Sequence, residues 1–468
     1  MNLPSLPVEV TVVPELDPGF VPAALWNRCY RERVAARSDS RQVAIALSRP
    51  DGGCSVYRTK VLPPGSEYDS LSLYYLERTL KFLLWQCGGS ELRISGCDDI
   101  ASSIADAYSP TGVRRFDHDF FGSKVYRRPL EIRTCAMEDI PESNELSMPL
   151  GRHLDGCRIG FDLGGSDRKC AAVIDGETVF SEEVAWNPYF ESDPAYHREG
   201  IEDSLQRAAA HLPRIDAIGG SSAGVYVNNE VRVASLFRGV SDEDFESRVR
   251  RIFPELKERW GGIPFEVVND GEVTALAGSM SMGENAVLGI AMGTSQAVGY
   301  VTPAGNITPW LNELAFAPVD FRENGPADEW SGDRGCGVQY FSQQAVARLA
   351  PLAGIDLPGD MSFPERLVEV QRLMAAGDGR AAAIYSTIGT CLGYSIAHYA
   401  DFYEIGKILL LGRVTSGEGG SIIIGKANEV LAVQFPDLAE RIGIVTPDEK
   451  DKRHGQAVAA ASLPRIDR

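Results

Sequence analysis

The stretch Arg158–Ile174, RIGFDLGGSDRKCAAVI, decides how the chain is read. An apolar run ends in Asp162, turns through Gly164, Gly165 and Ser166, and leaves as a second apolar run carrying Lys169. Strand, glycine turn, strand spells a β-hairpin. Glycines lack Cβ, so amide N–H groups at such a tip can face an anion unobstructed. A carboxylate beside that tip would repel phosphate unless it holds a hydrated magnesium ion, which takes one or two carboxylates plus waters and phosphate oxygens. Asp162 is therefore a candidate Mg2+ ligand acting through water.

Ala286–Val301, AVLGIAMGTSQAVGYV, repeats the design with Gly293, Thr294 and Ser295 at its tip. One glycine turn is weak evidence, because hairpin turns are glycine-rich anyway. Two in one chain suggest two lobes gripping one nucleotide.

The surrounding composition narrows the classes. A chain of 468 residues is too long for one core, so two or three domains are expected. A formal net charge of -19 argues against a nucleic-acid binder, which needs a basic face. No apolar run reaches membrane-spanning length, and Met1-Asn2-Leu3-Pro4 lacks the blocks of a signal peptide. The nine scattered cysteines contain no C-x-x-C pair and read as reduced thiols, so a cytoplasmic protein is expected.

Residues 1–150 read as an accessory α/β module. Val43–Leu47 and Ser55–Val61 are strands about an Arg49–Gly53 turn, Leu73–Cys87 has helical spacing, and Glu91–Ser95 is a strand. The module is either a degenerate copy of the lobe that follows or an unrelated cap or oligomerisation domain. Residues 151–285 form a first lobe and 286–468 a second.

Further strands deliver polar or glycine-rich loops to one edge, where ligands collect in open α/β sheets. Ile215–Ile218 runs into a loop, Gly219–Gly224, containing Ser222 and Gly224. Phe265–Val268 ends in Asn269-Asp270-Gly271 before a helix over Glu272–Ser279. Lys407–Leu411 ends in a loop with Gly412, Gly417, Gly419 and Gly420, whose flat surface beside a helix start near Ser421 suits adenosine. Helices are also expected over Glu199–Leu212, Val338–Leu349, Phe363–Ala376, Ala381–Tyr403 and Lys452–Ser462. A strand is expected near Arg441–Val445.

These segments, in this order, resemble the ROK (repressor, open reading frame, kinase) sugar kinases of the actin-like ATPase superfamily, over roughly residues 158 to 463. Asp162 to Lys169 is similar to the family's first phosphate motif, and Val268-Asn269-Asp270 with Ala275 to Gly278 resembles its catalytic segment. The resemblance implies a two-lobed, ribonuclease H-like α/β fold binding ATP and Mg2+. In the Asn312–Phe316 segment, Glu313 keeps the glutamate of the family's Glu-x-Gly-His motif, to hold a sugar hydroxyl or simply to face solvent, while Phe316 stands where that motif has its histidine. Of the family's zinc cysteines only Cys336 remains, so no zinc is expected. Ser235 replaces a sugar-contacting asparagine, and the winged reader of the family's repressors is missing before residue 150.

Phosphoryl transfer needs positioning, charge neutralisation and a group to take the hydroxyl proton. Asp270 is the candidate base and Asn269 the residue that orients a hydroxyl, although both are also preferred helix caps. Gly164, Gly165, Ser166, Lys169, Gly293, Thr294 and Ser295 would hold the phosphates. Ser222, Gly224, Ser235, Asn269 and Glu313 would hold the substrate. Trp310 and Trp330 could stack on a sugar, or simply line the core. The expected activity is ATP-dependent phosphorylation of a hydroxyl on a sugar or sugar-like molecule, with a homodimer as an open assembly. The alternative is a non-catalytic sugar- or nucleotide-sensing protein on the same fold.

Overall fold

The computed structural model describes residues 6–145, 150–447 and 455–466, so the expected signal-free start at residues 1–4 lies outside it. In the amino-terminal module, β1 (Arg41–Ser48) and β2 (Cys54–Val61) pair antiparallel, with Ser48 opposite Cys54. The connecting turn closes on Asp51, whose carboxylate accepts from the Gly53 N–H at 2.8 Å. Helix Leu71–Cys87 follows, then β3 (Glu91–Ser95), helix Asp98–Ala107 and β4 (Glu131–Thr134), giving the order β2-β1-β3-β4.

The first lobe carries β5 (Cys157–Leu163), β6 (Asp167–Ile174), β7 (Glu177–Ala185), β8 (Ala217–Ser222), the small hairpin β9 (Val225–Val227) and β10 (Glu230–Val233), and β11 (Phe265–Asn269). Its sheet runs β11-β8-β5-β6-β7. Here β8 lies parallel to β5, whereas β3 lies antiparallel to β1. The two sheets thus differ in the direction of this pairing. The second lobe has β12 (Val287–Met292), β13 (Gln296–Val301), β14 (Lys407–Leu411) and β15 (Gly443–Val445), in the order β13-β12-β14-β15.

Core packing redraws the expected boundaries. Helix Leu71–Cys87 is buried on nearly every side, so it needs partners all round. It finds them in the second lobe: Trp26, Tyr30, Leu76 and Trp85 share one core with Tyr340, Ile384, Tyr394 and Leu410. The module and the second lobe thus share a cluster of buried side chains. Helix Asp270–Met282 follows a first-lobe strand but buries Val273 and Leu276 against Val287, Val301 and Leu409. Helix Gly455–Ala461, expected in the second lobe, returns to the first; the earlier part of its expected span, 452–454, lies outside the described residues.

That return explains a further difference. Gly219, Gly220, Ser221 and Ser222 are strand, not loop. A Cβ at Gly219 would sit 1.7 Å from the Ala460 carbonyl oxygen, and one at Gly160 would sit 1.7 Å from that of Ala457. The glycines let a helix backbone lie directly on the sheet. Other helices shift by a few residues; the one expected at Val338 begins at Gln343, after a short 3-10 turn at Gly337–Gln339. Among the described residues no helix is long and apolar enough to cross a membrane.

Candidate active site

Strand register assembles the site. Asp162 lies opposite Lys169 on β6 and opposite Ser221 on β8, and Ser221 in turn lies opposite Val268 on β11. One residue on, Ser222 pairs with Asn269. Three parallel strand ends thus line up Asp162, both serines and Asn269 in adjoining rows. The buried Asp162 carboxylate accepts from the Ser221 hydroxyl at 2.7 Å and faces the Lys169 ammonium at 3.6 Å. Burial outweighs these partners and raises its pKa.

Asn269 caps the next helix: its Oδ1 accepts from the Gly271 N–H at 2.7 Å. Its Nδ2 donates to the Gly224 carbonyl at 2.7 Å, tying the substrate-side turn to the helix start. Capping therefore accounts for Asn269 whether or not it also meets a hydroxyl. Asp270 opens the helix. Burial, and next the Asp162 charge, push its pKa up to about 6. Glu313 is pushed up to about 7 by burial and by the Asp270 charge. The Asp162 charge thus bears on Asp270, and the Asp270 charge on Glu313.

Glu313 is held by the amino-terminal module. The last turn of helix Leu71–Cys87 offers unpaired carbonyls; that of Trp85 accepts from the Glu313 N–H and that of Gln86 from the Asn312 N–H, both at 2.9 Å. Asn312 sits at φ 50° and its amide is fixed by Glu272 and by the Tyr403 hydroxyl. Phe316, in the histidine's place, stacks on Trp85 with ring centres 4.4 Å apart. Beneath, Lys81 joins Asp117 and Asp333, and Arg78 and Arg114 also pair with Asp333.

Both glycine tips are tight turns: Gly164 N–H donates to the Asp167 carbonyl and Gly293 N–H to that of Ser295, each at 2.9 Å. A Cβ at Gly165 would meet the Tyr189 hydroxyl at 2.2 Å, whereas one at Gly293 would meet only the Ser295 carbonyl at 3.6 Å. Ser166, Thr294 and Ser295 are exposed. The start of helix Asp270–Met282 lies against β13, since a Cβ on Gly299 would sit 2.1 Å from the Gly271 carbonyl oxygen. Asp270 thus stands between the first hairpin, through Asp162, and the second, through β13.

In the expected adenosine loop, Gly412 and Gly417 are exposed with φ of 94° and 68°. Gly419 and Gly420 are instead buried in helix Glu418–Gln434 against Tyr385 and Thr415, so packing explains their lack of side chains. Ser235 lies exposed in a short turn, next to Ala234, which packs on Gly224. Trp330 is 71% exposed beside Phe316, and Trp310 stacks on Tyr300 while donating to Glu145. Tyr226 escaped the sequence reading: its hydroxyl donates to Ser222 Oγ at 2.7 Å, and the Asp270 charge adds to the burial that raises its pKa. The alternation Val225-Tyr226-Val227 before Asn228-Asn229 was the available sign of a hairpin.

No protein-family model and no curated protein matches this chain. Solved structures do. The ROK hexokinase of Thermus thermophilus is 19% identical with a TM-score of 0.50, over 65% of this chain and 96% of that one. A ROK glucokinase of Streptomyces griseus, solved with glucose and AMPPNP, is 18% identical over 67% of this chain and all of its own, with a TM-score of 0.48. A ROK transcriptional regulator, a homologue of the E. coli MLC protein, is 19% identical over 69% and 80%, also at 0.48. The two lobes of this chain therefore have the actin-like ATPase fold of the ROK sugar kinases, with an amino-terminal module built onto it.

Proposed function

We propose that the protein transfers the terminal phosphoryl group of ATP to a hydroxyl of a sugar or sugar-like molecule. The observation that carries this is the alignment of Asp162 at the end of β5, Ser221 and Ser222 at the end of β8, and Asn269-Asp270 at the end of β11, beside a glycine-tipped hairpin. Asp270 takes the proton of the acceptor hydroxyl as its oxygen bonds to phosphorus and the bond to the ADP oxygen breaks. A pKa of about 6 leaves it ionised at neutral pH yet basic enough to accept a proton. Asn269 holds that carboxylate at the helix start, and Glu313 grips a second acceptor hydroxyl. Lys169, the 164–166 tip and the 293–295 tip cradle the phosphates, and the exposed Gly417, with open space where a side chain would be, leaves room for adenosine beside Gly412, which packs on the Met292 backbone.

The residues fit a nucleotide-borne Mg2+. Asp162 and Asp270 repel each other, and among the described residues no three acidic, histidine or cysteine side chains form a cage of their own. One or two carboxylates with water and phosphate is what magnesium accepts. Asp162 would hold it through water, and the ion would offset phosphate charge.

Asp270→Ala tests the assignment in a coupled ATPase screen against hexoses, amino sugars and polyols. Transfer is expected to vanish while nucleotide binding persists; full turnover by the variant would overturn it. Sugar-dependent thermal shifts without turnover by the unaltered protein would favour the sensing alternative.

A further inference from the structure

A chamber of about 350 Å3 adjoins the acceptor side of the site, and three parts of the chain wall it. The amino-terminal module supplies Arg49, Asp51 and Tyr126. The first lobe supplies the β9–β10 hairpin and Glu266–Asn269, and the second supplies Thr308–Leu311. Neither Asp270 nor Glu313 lines it, but Gly224 and Asn269 do, and these share the hydrogen bond that fixes the start of the Asp270 helix. Glu272 lines it too; two residues on from Asp270, it leaves the helix on another face. The chamber thus lies beside the helix start that carries Asp270. Its volume, at the lower end for small-molecule pockets, is room for a ring beyond the one at Asp270.

Its lining selects the chemistry. The Arg49 side chain is only 1% exposed and donates to Glu145 at 2.9 Å and to Ser55 at 3.0 Å. Its Nε has no hydrogen-bond partner among the described residues, and neither has the buried Thr308 hydroxyl. Buried groups of this kind are normally matched. Arg49 is already balanced by Glu145 and, at 3.9 Å, by Asp51, while Glu266 and Glu272 add acid. A phosphorylated or carboxylated group would meet acidic side chains with no unpaired cation among the described lining residues. The Asn229 and Asn269 amides and both Glu272 oxygens are already engaged, which leaves Asp51, Glu266 and Asn228 to bond the hydroxyls of an uncharged ring, and Trp310 offers it an aromatic wall.

We propose that the acceptor is a neutral disaccharide or similar glycoside, whose first ring presents its hydroxyl to Asp270 and whose second ring fills the chamber against Arg49, Asp51 and Trp310. This rests on the kinase reading above, and it gives the amino-terminal module a direct part in substrate choice.

The test compares glucose with maltose, cellobiose and trehalose as acceptors for the full chain. At least one disaccharide should exceed glucose in kcat/KM by about 100-fold, the order that one well-filled subsite confers. Val227→Trp, which fills the chamber from β9, and Asp51→Ala, which strips its rim, should both pull that ratio towards about 1. Two variants guard against one that misfolds. Glucose outrunning every disaccharide, or a ratio unmoved in both variants, would overturn the proposal. Calorimetric titration of the same sugars separates the two readings. Disaccharide binding lost in Val227→Trp, with no transfer to any sugar, would sink the kinase assignment and keep the chamber. Absence of disaccharide binding would sink the chamber whatever the turnover.

Discussion

Replacing Lys81 by methionine probes how firmly the amino-terminal module carries the active site. Methionine keeps most of the stem and deletes the charge. The Lys81 side chain is wholly buried and donates to both Asp117 oxygens, at 3.0 and 3.1 Å, and it meets Asp333 at 3.1 Å. Removing one member of a buried ion pair costs about 3–5 kcal/mol. Arg78 and Arg114 continue to match Asp333, so the loss falls mainly on Asp117, which keeps only the Trp85 indole N–H at 2.7 Å. The lower end, about 3 kcal/mol, is expected, or a drop of roughly 3 °C in Tm. Asp117, already raised by burial, would rise further, so the variant loses stability as pH climbs through that raised value. The gap from the unaltered protein should therefore be smaller at pH 5 than at pH 8. Because Trp85 and Gln86 hold the Glu313 backbone, the acceptor KM should rise while nucleotide binding stays. Thermal melts with hydrogen exchange read the first two effects, and steady-state kinetics with nucleotide titration read the third. A Tm within about 1 °C of the unaltered protein, or a separate early transition confined to residues 6–145, would refute the shared-core argument.

Three other outcomes follow from the site. Asp270 and Glu313 have pKa values raised to about 6 and about 7, so kcat/KM should fall as pH drops through 7 to 6, and a flat profile down to pH 5 would remove Asp270 from the role of base. Gly165→Ala drives a methyl group into the Tyr189 hydroxyl and should raise the nucleotide KM severalfold; unchanged kinetics would show that the tip does not hold phosphate. Trp330→Ser, at a side chain lying 71% exposed, should leave acceptor kinetics unchanged, and a lost acceptor affinity would return the sugar-stacking role to it.

What could be read in the sequence was local. Asp162 and its glycine tip, the second hairpin, and Asn269-Asp270 between strand and helix are signalled by alternation, turn glycines and capping residues within a few positions. The strands at Glu91–Ser95 and Lys407–Leu411 lie where periodicity put them. What stayed hidden depends on partners hundreds of residues away. The glycines at 219 and 220 look like a loop until helix Gly455–Ala461 and Phe161 are seen to occupy the space of their missing side chains. The hold of Trp85 and Gln86 on Asn312 and Glu313 uses main-chain carbonyls, which leave no trace in residue identity. Helix Leu71–Cys87 reads correctly as a helix, but its all-round apolar surface only asks for burial and does not name the second lobe as the cover.

The helix seated on Gly160 and Gly219 has a bearing on how the protein is made. Residues 455–463 cover a face of the first-lobe sheet, so that face stays bare on the ribosome until those residues have emerged. The amino-terminal module waits as well, because its core is completed by residues beyond 340. Synthesis thus yields a long nascent segment without a finished unit, a stretch during which chaperones would find exposed apolar surface.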